Sequence, residues 1–192
     1  MRLFLFAISG VLIALGFSGC GTIGKDTSHK MLVSVRDQKM LLLRDGKPLK
    51  SYKISTSKFG IGDRPGSNCT PLGRMEISRK IGDNVPAGTV FKHRCPTGEV
   101  VKPDAPGRDP IVSRILWLRG LESNNRHAYG RRIYIHGTAE ERRLGAPASY
   151  GCIRMSARDV IDLYKRVGLG ADVFVIRGSI DPPKASASYA SL

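Results

Sequence analysis

Ile133-Tyr134-Ile135-His136-Gly137-Thr138, followed by Ser149-Tyr150-Gly151-Cys152-Ile153-Arg154-Met155, sets a histidine and a cysteine sixteen positions apart. The first string reads as a strand that ends at the imidazole. The second reads as a glycine-containing turn that leads toward a helix, a setting in which a thiol is exposed. Its thiolate is favoured there by neighbouring N–H dipoles and by Arg154. An imidazole at the strand end can take the thiol proton, so the pair has the composition of a nucleophile and its base. Consecutive N–H groups around Tyr150, Gly151 and Cys152 can point at a developing oxyanion, with no side chain at Gly151 to obstruct them. From spacing alone, a buried thiol and a structural histidine remain the competing reading.

Longer strings narrow the choice. His-Gly-Thr, Ser-x-Gly-Cys-Ile-Arg-Met and the Asp-containing helix after them occur together with Tyr52-Lys53-Ile54-Ser55-Thr56 and Thr70-Pro71-Leu72-Gly73-Arg74-Met75-Glu76-Ile77. Over residues 31–177 this set resembles the catalytic domain of the L,D-transpeptidases, the YkuD family. The resemblance implies a single, mainly β domain with short helices, built on a mixed sheet, with a groove for peptidoglycan stem peptides. It implies that Cys152 attacks the carbonyl before the terminal D-alanine of a tetrapeptide stem, forming a thioester and releasing D-alanine. An amine of a second stem then makes a 3-3 cross-link. His136 would be base and then acid, and the main-chain carbonyl of Gly137 would orient its ring. Ser149 and Arg154 would shape the site, and Gly151 would serve the oxyanion hole. Tyr150 departs from the pattern, standing where the family often has histidine. Water or a protein lysine are alternative acceptors, and a non-catalytic wall-binding lipoprotein is the alternative of a different class. The chemistry requires no metal or other cofactor.

Around these motifs the chain reads as strands. Residues 31–35 and 39–44 carry Val and Leu around polar residues, and Asp45-Gly46 is a turn signal before 49–55, which together predict an antiparallel meander. A Gly/Pro loop over 58–66 leads to a strand at 74–80. Residues 81–111 hold five prolines and four glycines without sustained periodicity, and read as a surface excursion bordering a site. Buried strands follow at 114–118 and 131–136. Ser156 caps a helix whose apolar face is Val160, Ile161, Leu163, Tyr164 and Val167, and 172–176 closes the sheet. Residues 178–192 read as a disordered tail.

The 192 residues suffice for one domain, and only residues 3–19 are apolar enough to meet a bilayer. That run after Met1-Arg2 has the layout of a secretory signal, and Phe17-Ser18-Gly19-Cys20 resembles a lipobox. Cleavage would leave Cys20 lipidated, residues 20–30 as a tether, and the domain on the periplasmic side of a membrane; an uncleaved anchor is the alternative. Gly21, in place of aspartate, favours the outer membrane. The mature chain would keep 30 basic against 16 acidic residues. An exported chain does not meet the chromosome, so nucleic acid is not expected as a partner, and the surplus either serves envelope polyanions or is spread for solubility. Cys69 and Cys95 flank one loop-rich section and are candidates for a disulfide, with two unpaired thiols as the alternative. His29, His93 and His127 read as solvated. The Cys152–His136 pair predicts activity that falls on the acid side of a pH 5 to 8 range, and an exposed thiolate sensitive to peroxide.

Overall fold

In the computed structural model, which describes residues 24–180, the chain forms ten strands and a helix. They are β1 (His29–Ser34), β2 (Lys39–Arg44), β3 (Lys47–Lys53), β4 (Gly73–Ile81), β5 (Thr89–Lys92), β6 (Cys95–Val100), β7 (Ile111–Gly120), β8 (Tyr134–Thr138), β9 (Ile153–Met155), α1 (Ala157–Arg166) and β10 (Asp172–Ile176). All ten strands join one mixed sheet in the order β3-β2-β1-β10-β4-β7-β5-β6, with β8 on β7 and β9 on β8. β1 with β10 and β8 with β9 run parallel, and the other pairs run antiparallel. The segment expected to be a signal, Cys20 and the residues from 181 onward lie outside the described residues.

The main core lies under one face of the sheet. Met31 and Val33, Met40 and Leu42, and Val173 and Val175 alternate inward and are buried, the period-2 pattern of strands with one face covered. α1 closes this core with Ala157, Val160, Leu163 and Tyr164. Its N-terminus is fixed by Ser156, whose side chain accepts from the Asp159 N–H at 3.0 Å. Its last carbonyls are met by Lys80, whose Nζ donates to Tyr164 O at 2.8 Å and to Val167 O at 2.7 Å. Burial lowers the Lys80 pKa, but a cation at a helix C-terminus complements both the orphan carbonyls and the dipole.

Several expectations are corrected. Residues 81–111 are not a bare loop: β5 pairs with β7 at Val90↔Val112 and carries β6 as a hairpin. No alternation marks β6 because all six of its residues are exposed. The tether is shorter than expected, since Lys25 pairs with Glu76 at 3.0 Å and the Asp26 carboxylate accepts from Gly168 N–H at 2.7 Å. His29 is not solvated; its Nδ1 lies 2.9 Å from Asp26 in a largely buried pair. The strand expected at 131–136 begins only at Tyr134, because Arg132 turns the chain with φ of 59°.

β7 is the hub that positions the site. One edge carries β4 and β5, and the other carries β8. The register slips between Val112 and Ile115, and the Val112 carbonyl presses against the strand that holds His136. A Cβ at Gly137 would lie 2.6 Å from Val112 O and 3.1 Å from Val160 Cγ1, so this position requires glycine for close approach. Gly137→Ala should cost about 2 kcal/mol by overpacking. Urea denaturation reads the cost, and an unchanged midpoint would refute the close approach.

Candidate active site

β8 and β9 lie side by side in parallel, with His136 opposite Arg154. Alternation sends Ile135, Ile153 and Met155 into the main core. Tyr134 and Cys152 fall on the opposite face, in a cluster with Phe91, Ile115 and Trp117. The sixteen-residue gap therefore closes through strand pairing. Cys152 stands one residue before β9, and its Sγ sits against the 132–134 backbone. It accepts from Tyr134 N–H at 3.4 Å and donates to Arg132 O at 3.4 Å. His136 is buried, and its Nδ1 donates to Gly137 O at 2.8 Å. That bond fixes the neutral tautomer with a bare Nε2, an acceptor free for a proton.

Burial sets the protonation states. It pushes the Cys152 thiol up to about 11, against smaller opposing effects of the Tyr134 N–H and of Arg154 and Arg131. It pushes His136 down to about 4, where the Gly137 carbonyl and Asp109 oppose it and Arg154 reinforces it. At neutral pH the pair is thus thiol and neutral imidazole. The expected stabilised thiolate is corrected on two counts. α1 starts at Ala157, beyond β9, so no helix terminus faces Cys152, and desolvation outweighs Arg154.

The shifted imidazole has a consequence for stability. Between about pH 4 and 6.5 the unfolded chain binds a proton that folded His136 refuses, so the fold loses stability as pH falls through that window. The loss reaches about 3 kcal/mol at its foot and is absent above pH 6.5. Urea midpoints from pH 4 to 8 measure it, and His136→Gln should flatten that slope; an unchanged slope in the variant would refute the assignment.

The turn before Cys152 is tied internally. Ser149 Oγ donates to Cys152 O at 2.5 Å and accepts from Gly151 N–H at 3.2 Å. The Gly151 N–H, expected to face an oxyanion, is thus engaged within the turn. Gly151 has φ of +118°, and its carbonyl accepts from Thr70 Oγ1 at 3.0 Å. The 60–70 loop beside it is held by Arg131, which donates to Cys69 O at 2.6 Å and to Asp63 at 3.1 Å. Tyr150 is exposed, 5.3 Å from the Phe59 ring, and its hydroxyl accepts from Lys58 Nζ at 3.0 Å.

Arg154 is buried and pairs with Asp109 at 2.7 Å, with Glu140 at 3.6 Å. Asp109 also accepts from Thr138 Oγ1 at 2.5 Å and from Ala139 N–H at 3.2 Å, which locks the residues after His136 onto the 81–111 segment. Sequence reasoning missed Asp109, Glu140, Asp63 and Arg131, which carry no motif and act through distant pairing. Cys69 and Cys95 are both free, so the candidate disulfide does not form. Cys69 Sγ faces the Phe59 carbonyl at 3.1 Å inside the 60–70 loop, while Cys95 sits exposed at the start of β6. His127 is partly exposed and pairs with Asp63 at 3.0 Å, and His93 is exposed at the β5–β6 turn.

Comparison with known proteins agrees with this architecture. The family model described as the L,D-transpeptidase catalytic domain, YkuD, matches residues 28–176. L,D-transpeptidase 3 from Mycobacterium tuberculosis, in complex with a faropenem-derived adduct, superposes with a TM-score of 0.50 at 18% identity, over 77% of this chain and 60% of that one. An L,D-transpeptidase from Xylanimonas cellulosilytica gives 0.50 at 17%, over 78% and 60%. One from Enterococcus faecium gives 0.50 at 17%, over 78% and 50%. These likenesses show the shared fold, and the chain spans about three-fifths or less of the length of these structures. No curated protein matches the chain. A family model that covers both parallel strands, the turn between them and the helix behind them leaves one assignment: the chain belongs to the YkuD family of L,D-transpeptidase catalytic domains.

Proposed function

We propose that this protein is a cysteine-dependent L,D-transpeptidase of the cell envelope, acting on peptidoglycan stem tetrapeptides. The observation that carries the reading is the pairing of β8 with β9, which sets Cys152 and His136 on one sheet face while the Gly137 carbonyl leaves Nε2 bare. In the proposed cycle the thiol proton passes to His136 Nε2 as Sγ attacks the carbonyl before the terminal D-alanine. The C–N bond breaks, the proton goes to the departing amine, and a thioester remains. An amine of a second stem then attacks the thioester, returns a proton through His136 and restores the thiol. With a pKa of about 4, His136 is a weak base that releases its proton readily to the leaving amine. Proton transfer is therefore concerted with attack rather than completed before it.

Cys20 is proposed as the lipidated residue that tethers the domain to the periplasmic face of the outer membrane, on the strength of the lipobox-like string and of Gly21 after it. Mass spectrometry after incubation with disaccharide-tetrapeptide tests the reaction. Loss of D-alanine with a cross-linked dimer supports the transpeptidase. D-alanine release with tripeptide monomer alone would make the acceptor water, and an unaltered substrate would refute acyl transfer.

A further inference from the structure

The proposed cycle leaves unused a cavity of about 140 Å³ lined by Phe91, His93, Arg94, Ile111, Arg132 and Tyr134. Two of these residues bracket the nucleophile, since Cys152 Sγ bonds to Arg132 O and Tyr134 N–H. The cavity and the thiol thus share one stretch of backbone.

Three lining residues adopt the left-handed region: His93 at φ of 53°, Arg94 at 69° and Arg132 at 59°. Arginine gains no local hydrogen bond there, unlike asparagine or aspartate, so this backbone is costly. Its effect is to bring two guanidinium-bearing side chains to one small cavity. Arg94 lies 5.0 Å from the Trp117 ring centre, beside the Tyr134 hydroxyl. Among the described residues neither Arg94 nor Arg132 has a carboxylate partner, whereas Arg131 is held by Asp63 and Arg154 by Asp109. Two uncompensated guanidinium groups against an apolar wall suit a carboxylate, which arginine binds in a planar, charge-assisted way. The space equals that of about four or five water molecules, enough for a small terminal residue and too little for a sugar pair.

We propose that this cavity is a carboxylate subsite in which Arg94 and Arg132 receive the terminal α-carboxylate of the residue on the leaving side of the scissile bond. This deepens, and rests on, the acyl-transfer reading above. A free carboxylate one residue beyond the attacked carbonyl becomes a requirement for productive binding. The enzyme therefore trims or exchanges only the last residue of a stem.

Three substrates test it with the full-length protein: the tetrapeptide stem, the same stem with its terminal D-alanine as carboxamide, and the same stem with only the side-chain carboxylate of its diamino acid amidated. For the parent, kcat/KM for release of the terminal residue should fall about 30-fold with the terminal carboxamide, the loss of one charged hydrogen-bonded pairing, and little with the side-chain amide. In R94Q/R132Q the ratio of acid to terminal amide should collapse toward one. A ratio retained in the double variant, or a penalty that follows the side-chain amide, overturns the subsite while leaving acyl transfer intact. A parent that releases nothing from any of the three overturns both. R94G should melt no lower than the parent, because glycine adopts φ near 69° without strain; a clear drop would make Arg94 a packing residue and overturn its role as a ligand.

Discussion

Cys152→Ala should retain no more than about one part in ten thousand of the parent's D-alanine release, the loss expected when the covalent step itself is removed. Among the described residues no other thiol lies beside Cys152 to substitute for it. Cys69 is on the 60–70 loop, with its carbonyl rather than its sulfur turned toward Gly151, and Cys95 sits at the β5–β6 hairpin. His136→Gln should fall about a thousandfold at pH 7, because the thiol pushed up to about 11 leaves roughly one sulfur in ten thousand ionised without an acceptor for its proton. The two losses should not add, since both remove the same step. Release of D-alanine by Cys152→Ala at a tenth of the parent rate would end the nucleophile assignment.

The same protonation states give the pH profile a distinctive form. The parent needs neutral His136, and with its pKa near 4 the acid limb should lie near pH 4, leaving activity close to flat from pH 5 to 8. That revises the acid-side fall expected within this range from an ordinary imidazole. His136→Gln should instead gain about tenfold per pH unit from 7 toward 10, as thiolate accumulates toward the pKa of about 11. A parent profile that halves near pH 6.5 would mean that the imidazole is solvated, contrary to its burial.

The contrast between what sequence revealed and what it hid is physical. β2, β10 and α1 were legible because each buries one face, so period 2 or 3.6 is written into residues such as Met40 and Leu42 or Val160 and Leu163. Cys152 and His136 were legible because their chemistry constrains their immediate neighbours, above all Gly137 and Gly151. Asp109 was not, because its three acceptor bonds and its ion pair reach across the sheet from a proline-rich segment with no period. Nor were the protonation states. Arg154 invites the expectation of a low thiol pKa, but the depth that decides the sign comes from Phe91, Ile115, Trp117 and Tyr134, which reach Cys152 from other strands. The free Cys69 and Cys95 make the same point, since separation along the chain says nothing about whether two side chains face each other.

Asp109→Ala should be the most destabilising change to a residue outside the proposed chemistry, at about 4 kcal/mol. Removing it leaves the buried Arg154 guanidinium with only Glu140 at 3.6 Å, and strips the Thr138 hydroxyl and Ala139 N–H of their acceptor. The cost is that of an orphaned charge rather than the net worth of the pair, so the double replacement Asp109→Leu/Arg154→Met should recover most of it. Urea denaturation of the two single variants and the double gives the coupling. Equal additive losses would show that the pair is not coupled. Asp109→Ala should also act on the chemistry: with the carboxylate gone, Arg154 depresses His136 further, because the Asp109 charge opposes that effect in the parent. A weaker base lowers the rate on the plateau while moving the acid limb to still lower pH. A purely structural loss would reduce the amount of folded enzyme and leave the limb where it was, so the position of the limb separates an electrostatic role for Asp109 from a merely mechanical one.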